Sequence, residues 1–369
     1  MVMWNQLKQT FQDKKVFITG HTGFKGAWLT QTLHLLEAEI MGYALSPYYD
    51  NNLYELLELD KISHSIIGDI NHEKTLIKAI KEFKPDFIFH LAAQPLVRAS
   101  YKSPVETYQT NVMGTVHVLD AIRQIESPLT SVLITTDKVY ENNESGNPFV
   151  EDDKLGGYDP YSSSKACCEI AISSYMRSFF HPNNYHEHGK ATASCRAGNV
   201  IGGGDWATDR LLPDIIRALR NKDTINIRNP LAIRPWQHVI EPIFFYLLLA
   251  SHLEKEPLKY STAWNIGPDE KDILTVKAVV EKAVEVWGGG EYVFGKEKKA
   301  LHEAGILKLD CTKAKSVMGW SPKLDAAEAI SKTIEWYKVN HDSPKDSKSF
   351  TNKQILAYAK SLSPITANI

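Results

Sequence analysis

The sequence predicts an α/β fold, a doubly wound parallel sheet with a smaller, mostly helical C-terminal part. Three observations predict it. Short apolar runs alternate with longer segments of helical periodicity through about the first 200 residues. A glycine-spaced turn, TGHTGFKG, stands directly between the first apolar run and the first helical segment. A Tyr-x-x-x-Lys pair opens the helical segment beyond the fifth run.

KKVFITG (14–20) reads as a buried strand, and Gly26 to Glu37 as the helix after it. EIMGYAL (39–45) and HSIIGD (64–69) are the second and third strands. NHEKTLIKAIKEF (71–83) is an amphipathic helix leading into a fourth strand, DFIFHLAA (86–93). A helix is expected over about 104–125, then a fifth strand, SVLITTD (131–137), and a sixth, TASCRAGNV (192–200). Such alternation builds a parallel sheet covered by helices on both faces. Beyond it, GGGDWATDR reads as a glycine-rich loop, LLPDIIRALR as a helix and AWNIG (263–267) as one further sheet strand. TVKAVVEKAVEVWG (275–288) and AAEAISKTIEWYKV (326–339) are amphipathic helices. HDSPKDSKSFTNKQ reads as a polar surface tail. The chain therefore divides into a sheet domain over 1–200, with about 230–270 also packing on it, a second domain over 201–340 and a tail over 341–369.

The hydrophobic fraction, 43%, suits a globular protein, and a net charge of −2 excludes a strongly basic nucleic-acid or membrane surface. Cys167, Cys168, Cys195 and Cys311 have no zinc-ligand spacing and read as small buried apolar residues. No metal is expected. MVMWNQLKQTFQDKK is amphipathic and lacks a signal-peptide core. The longest apolar run, Ile243 to Ala250, is too short to span a bilayer. A soluble, reduced, cytoplasmic protein is expected, with no nucleic-acid or membrane partner.

Gly20, Gly23 and Gly26 fit a dinucleotide-binding turn of the Rossmann type. Glycines there permit the tight turn and let backbone N–H groups approach a pyrophosphate at a helix N-terminus. His21 and Phe24 lie inside the same loop, His21 also reading as a tolerated turn residue. No Gly-Lys-Ser/Thr ends it, which excludes a P-loop. Asp69, followed by Ile70, closes the third strand, where a carboxylate can accept from an adenine amino group or cap the next helix. The second strand ends in Tyr43-Ala44-Leu45-Ser46-Pro47, with no base for a 2′-phosphate, which favours NAD over NADP.

Tyr161 and Lys165 share one helix face. A lysine ammonium, together with an oxidised nicotinamide, lowers a tyrosine pKa from about 10 so that the phenolate can take a hydroxyl proton. Thr136, at the end of the fifth strand, adds a hydroxyl that can bind a sugar.

TGHTGFKG, HLAAQPLVRASY, TTDKVY, GGYDPYSSSKA and RAGNVIGGGDWATDRLLPDIIRA resemble the extended short-chain dehydrogenase/reductases acting on sugar nucleotides. TTDKVY and the GGGDWA-DRL-PDIIRA run resemble the branch of that family that dehydrates CDP-glucose. The resemblance implies a redox-neutral reaction feeding deoxysugar (O-antigen or lipopolysaccharide) biosynthesis: oxidation at C4 with Tyr161 as base, loss of water across C5–C6, and hydride return to C6. It assigns Asp137 as the acid for the C6 hydroxyl. Lys138 stands where related dTDP-glucose dehydratases carry a glutamate base. Lys138 then acts as a neutral amine beside a protonated Asp137, helped by Lys165 and a closed site, or stays charged and steadies the enolate. Asn199, Arg210 and Arg234 are candidates for the substrate diphosphate, and His302 and Glu303 fall where relatives close over the substrate. Relatives pair helices like those at 104–125 and 161–179 across a two-fold axis, which implies a homodimer. A 4-epimerase would share the glycines and the Tyr-Lys pair without needing Asp137 and Lys138. A non-catalytic dinucleotide sensor would need neither.

Overall fold

The computed structural model describes residues 2–142, 144–227, 229–269, 272, 274–295 and 307–362. Its strands are β1 (Lys15–Thr19), β2 (Glu39–Ala44), β3 (His64–Ile67), β4 (Phe87–His90), β5 (Leu129–Ile134), β6 (Lys190–Ala197), β7 (Asn199–Ile201), β8 (Ile225–Ile227), β9 (Ile233–Arg234), β10 (Trp236–His238), β11 (Ala263–Ile266), β12 (Leu274–Thr275) and β13 (Tyr292–Phe294). Seven of them form one parallel sheet in the order β3-β2-β1-β4-β5-β6-β11. The chain winds outward from β1 to β3, then restarts at β4 on the other side of β1. That reversal leaves a crevice at the carboxyl ends of β1 and β4, where open α/β sheets bind ligands.

Alternation along the inner strands supplies two faces. Val16 and Ile18 of β1 and Phe87 and Phe89 of β4 enter one core with Trp28, Phe244, Trp264 and Trp336. Phe17 and Ile88 point the other way, into a core with Tyr43, Leu76, Phe83 and Leu119. Both faces are buried, which is why β1, β4 and β5 read as unbroken apolar runs. The apolar stretch Ile243–Ala250 lies within a helix, Ile240–Lys255, packed on β5 and β6.

Three elements differ from the sequence reading. The sixth strand ends at Ala197, and Asn199–Ile201 leaves to pair in parallel with Trp236–His238. Gly198 makes the break: a Cβ there would lie 3.2 Å from Pro235 and 3.4 Å from the Asp137 carboxylate. The helix expected over 104–125 contains a π-helical turn, Gln109–Met113, between Pro104–Tyr108 and Gly114–Arg123. Within that turn Asn111 is buried; its amide donates to Ser164 Oγ and Gln94 O and its Oδ1 accepts from Gln94 N.

The third difference is a correction. The residues read as a polar surface tail form a helix, Ser347–Ser361, packed against Val2–Phe11, Phe24–Leu35 and Ala326–Asp342. Four of its polar side chains lie inside, each with at least one hydrogen bond. Thr351 accepts from Trp336 Nε1 (2.8 Å), Ser347 from Asn340, and Gln354 donates to Lys332 O. Tyr358 donates to the buried Glu241 carboxylate. Mean hydropathy cannot register such a helix, since burial of hydrogen-bonded polar groups leaves no apolar signal.

Candidate active site

The glycine turn follows β1 and opens the helix Phe24–Leu35, with Gly23 at its N-cap and no side chain capping it. Gly20 sits at φ +80°, in the left-handed region, and a Cβ on it would lie 2.8 Å from Ala92 N. A Cβ on Gly26 would lie 2.0 Å from Gly20 O. The helix start and the strand end can approach this closely only as glycines, and the cradle keeps its first-turn N–H groups clear for an anion. Phe24 closes the turn against Gly202. His21 is fully buried under the loop, with Nε2 2.7 Å from Ser65 Oγ, Nδ1 unpartnered and the ring edge-on to Tyr54. Burial pulls its pKa down to about 4, so it is neutral. Gly42 leaves the space that the His21 ring fills.

At the far end of the turn, Asp69 does not cap the next helix, whose N-cap position is His72. One of its oxygens accepts from Asn71 N (2.8 Å). The Ile70 side chain is core, packed against Gly114, while its carbonyl oxygen lies 3.0 Å from His117 Nδ1.

The helix Pro160–Ser178 carries the Tyr-Lys pair and starts by design of its sequence: Asp159 accepts from Ser162 N, and Pro160 takes the first position. Tyr161 N donates to Ser100 Oγ, which pins the first turn. Tyr161 shares a hydrogen bond with the Thr136 hydroxyl. Lys165 Nζ donates to Ile134 O (3.2 Å). The pair and Thr136 therefore meet as the sequence implies. The expected lowering of the tyrosine does not hold in the protein alone. Burial pushes the Tyr161 hydroxyl up to about 12; Asp137 and Asp159 add to this, against the Thr136 hydrogen bond and Arg210. Burial also lowers Lys165, opposed by Cys168 and Glu169.

Asp137 is buried next to this pair. Its Oδ1 accepts from Thr136 Oγ1 (2.9 Å), and its Oδ2 has no partner and faces Gly198. Lys138, 26% exposed, places Nζ 3.7 Å from Asp137 Oδ1.

Of the diphosphate candidates, Arg210 comes into the site: its charge acts on Tyr161, and Asp205 holds its guanidinium at 2.8 Å. Asn199 begins β7 in register with Trp236. Arg234 lies on β9, in a separate two-stranded piece with β12, and its Nη1 donates to Ile233 O. His302 and Glu303 lie outside the described residues. A residue missed by sequence reasoning is Lys25, in the glycine turn. Its pKa is lowered to about 8 by burial, then by Lys165 and Arg210, against Cys195 and Asp137. Only its charge, in a loop otherwise built from small, polar and aromatic residues, marks it in the sequence.

Comparison with known proteins gives the family and the fold. The family pattern for GDP-mannose 4,6 dehydratase matches residues 17–333. A CDP-glucose 4,6-dehydratase of Salmonella typhimurium is 48% identical over 332 residues, covering 90% of this chain and 92% of the relative. Two solved structures share the fold. The dTDP-glucose 4,6-dehydratase of Streptomyces venezuelae, solved with NAD bound, superposes with a TM-score of 0.75 at 21% identity, covering 90% and 99% of the two chains. The UDP-glucose 4-epimerase of Thermotoga maritima, solved with UDP-glucose, gives 0.72 at 21% identity, covering 88% and 98%. The chain belongs to the GDP-mannose 4,6 dehydratase family, within the extended short-chain dehydrogenase/reductases.

Proposed function

We propose that this chain is an NAD-dependent CDP-glucose 4,6-dehydratase, forming CDP-4-dehydro-6-deoxy-D-glucose. The observation that carries the reading is the buried Asp137 carboxylate, one oxygen unpartnered, on the strand end that meets Tyr161. A 4-epimerase needs the tyrosine and lysine but no acid to expel a C6 hydroxyl. The similarity to the Salmonella CDP-glucose enzyme supports the nucleotide.

The glycine cradle fits a dinucleotide pyrophosphate: Gly20 and Gly26 leave no room for a Cβ, and the helix start is uncapped. NAD held there would supply the acceptor for the C4 hydride and the donor that returns it at C6. Tyr161 takes the O4 proton, with Lys165 holding positive charge one turn below. Thr136 orients Asp137 and Tyr161 from the strand. Asp137, once protonated, gives its proton to the departing C6 hydroxyl. Lys138, as the ammonium beside Asp137, would steady the enolate while water in the site takes the C5 proton. Arg210, and Asn199 and Arg234 from β7 and β9, serve the diphosphate. Asp69 serves the adenosine half; His21, its ring buried beneath the loop, and Ile70 contribute backbone only, and Phe24 stands at the first turn of the helix beside the pyrophosphate.

The chain also fits a homodimer. Val105, Tyr108, Met113 and Ile170 are exposed apolar residues on Pro104–Met113 and Pro160–Ser178, a surface that a second copy would cover. Among the described residues no helix is long and apolar enough to cross a membrane, and Cys168, Cys195 and Cys311 are buried and unpaired, which suits a reducing cytoplasm. The product suits deoxysugar supply for lipopolysaccharide.

The test is CDP-glucose deuterated at C4. The expected outcome is deuterium at C6, solvent hydrogen at C5 and no net NADH. Deuterium lost to solvent, or NADH accumulating with product, would exclude the reaction.

A further inference from the structure

We propose that Glu169, gripped by Arg196, is a positioning residue that fixes the catalytic helix to the end of β5 and sets a carboxylate one turn from Lys165. The inference rests on Tyr161 and Lys165 acting as the proton-transfer pair.

Tyr161, Lys165 and Glu169 stand one turn apart on the helix Pro160–Ser178. Each engages one of three consecutive residues at the strand end. Lys165 Nζ bonds Ile134 O at 3.2 Å, Glu169 Oε1 accepts from Thr135 Oγ1 at 2.5 Å, and Tyr161 shares a hydrogen bond with Thr136. The spacing between the tyrosine and the Thr136-Asp137 segment is thus set by three cross-links, of which Glu169 supplies the anionic one.

Glu169 cannot turn away. Its other oxygen accepts from Ser194 Oγ (2.8 Å) and from Arg196 Nη2 (2.8 Å), both on β6. Arg196 is held in turn: Nη1 donates to Tyr140 OH and to Glu151 O, and Tyr140 donates to Asn265 Oδ1 on β11. Every member but Glu151 is buried, and charge-assisted bonds of this kind are short and directional. A buried ion pair seldom adds net stability over an apolar one, so its use here is geometric and electrostatic. Burial opposes the charge on Lys165, and Glu169 is one of the two groups that restore it. Lysine positive charge is what the Tyr161 phenolate needs.

Three variants test this. Glu169→Gln removes the charge and keeps the size. The ionisation of Lys165 is followed by NMR of labelled lysine Cε, its resonance assigned with Lys165→Arg; this needs no sugar nucleotide, so it is read whether or not CDP-glucose is the substrate. The Lys165 midpoint should fall by about one unit in Glu169→Gln, and the alkaline limb of kcat against pH should fall with it. Thr135→Val cuts the clamp and leaves the charge. It should lower kcat about tenfold or more, with little change in KM and an unmoved alkaline limb, while Thr135→Ser restores kcat. A wild-type Lys165 midpoint in a folded Glu169→Gln enzyme overturns the electrostatic role. Wild-type kcat in Thr135→Val overturns the positioning role. If Glu169→Gln does not fold, the Thr135 pair decides alone, loss in Val with rescue in Ser supporting the proposal and equal activity overturning it. Failure of the wild type on CDP-glucose would count against the substrate assignment only.

Discussion

The buried tyrosine makes a strong demand on whatever binds beside it. With the Tyr161 hydroxyl pushed up to about 12, its phenolate at pH 8 is roughly one part in ten thousand. Four units separate the two, about 5.4 kcal/mol at 1.36 kcal/mol per unit. A base must titrate near the working pH to transfer protons efficiently. The positive charge of oxidised nicotinamide, together with that of Lys165, therefore has to supply most of that difference. The assay is the ultraviolet tyrosinate band, taken as the difference between wild type and Tyr161→Phe, without cofactor, with NAD and with NADH. The expected midpoint is well above 10 without cofactor and falls by roughly two units or more with NAD, but little with uncharged NADH. Because tyrosine is an acid and its neutral form is favoured by burial, turnover should rise with pH on the acid limb and follow the NAD-bound midpoint. Equal midpoints with NAD and NADH would refute the reasoning, as would a cofactor-free midpoint already below about 9.

Lys138→Met should still pass hydride from CDP-glucose in a single turnover and then stall, with NADH and the 4-ketone trapped; normal elimination in this variant would remove Lys138 from the mechanism. Light scattering should give twice the 41.6 kDa chain mass, and Val105→Glu combined with Ile170→Glu should halve it; a monomeric wild type would refute the dimer. Glu241, fully buried and accepting from Tyr358, Lys323 N and Leu324 N, has its pKa raised by burial from 4.5 to about 7. Its protonated form is the one folding favours, so its stabilising contribution is complete below about 4.5 and is lost as pH rises through about 7, on the order of 3 kcal/mol in all. Denaturant unfolding of Glu241→Gln should lose that slope between pH 4.5 and 7; the same slope in wild type and variant would place its origin elsewhere.

The sheet was legible because its strands are buried on both faces. A run such as VFITG between lysines and glycines has few structures open to it, and alternation with amphipathic helices then dictates parallel pairing. The Tyr-Lys spacing was legible because helix geometry is local: Tyr161 and Lys165 share a face from their spacing alone, while β5 stops at Ile134, short of the strand expected to reach 137, and Thr136 and Asp137 follow it at the start of a short helix. What stayed hidden depends on partners distant in sequence. The partners of Ser347, Thr351, Gln354 and Tyr358 lie 7 to 117 residues away. The turn of β7 away from the sheet depends on Pro235 meeting Gly198. Lys25 is inconspicuous in TGFKG until folding sets it among Lys165, Arg210 and Asp137.

Lys138 shows the same limit in the chemistry. Considered as residue types, a lysine in the position of a glutamate base invites the idea that it takes over the proton. Its neighbours point to a different division of labour. The ammonium lies 3.7 Å from the carboxylate it flanks, and it is the more exposed of the two. Asp137 is the group enclosed, with Thr136 on one oxygen and the other unpartnered and close to Gly198. Binding a sugar there removes water from the pair and strengthens whatever charge remains inside. If Asp137 takes up a proton as the site closes, the lysine loses its carboxylate partner at the step where negative charge develops on the C4 oxygen. An ammonium freed in this way is placed to meet the enolate without leaving its strand end. Tyr161 and Lys165 stand on one helix face, with Glu169 a turn further on tying that helix to β5 and β6, so oxidation and elimination call on two elements that need only stay fixed relative to each other.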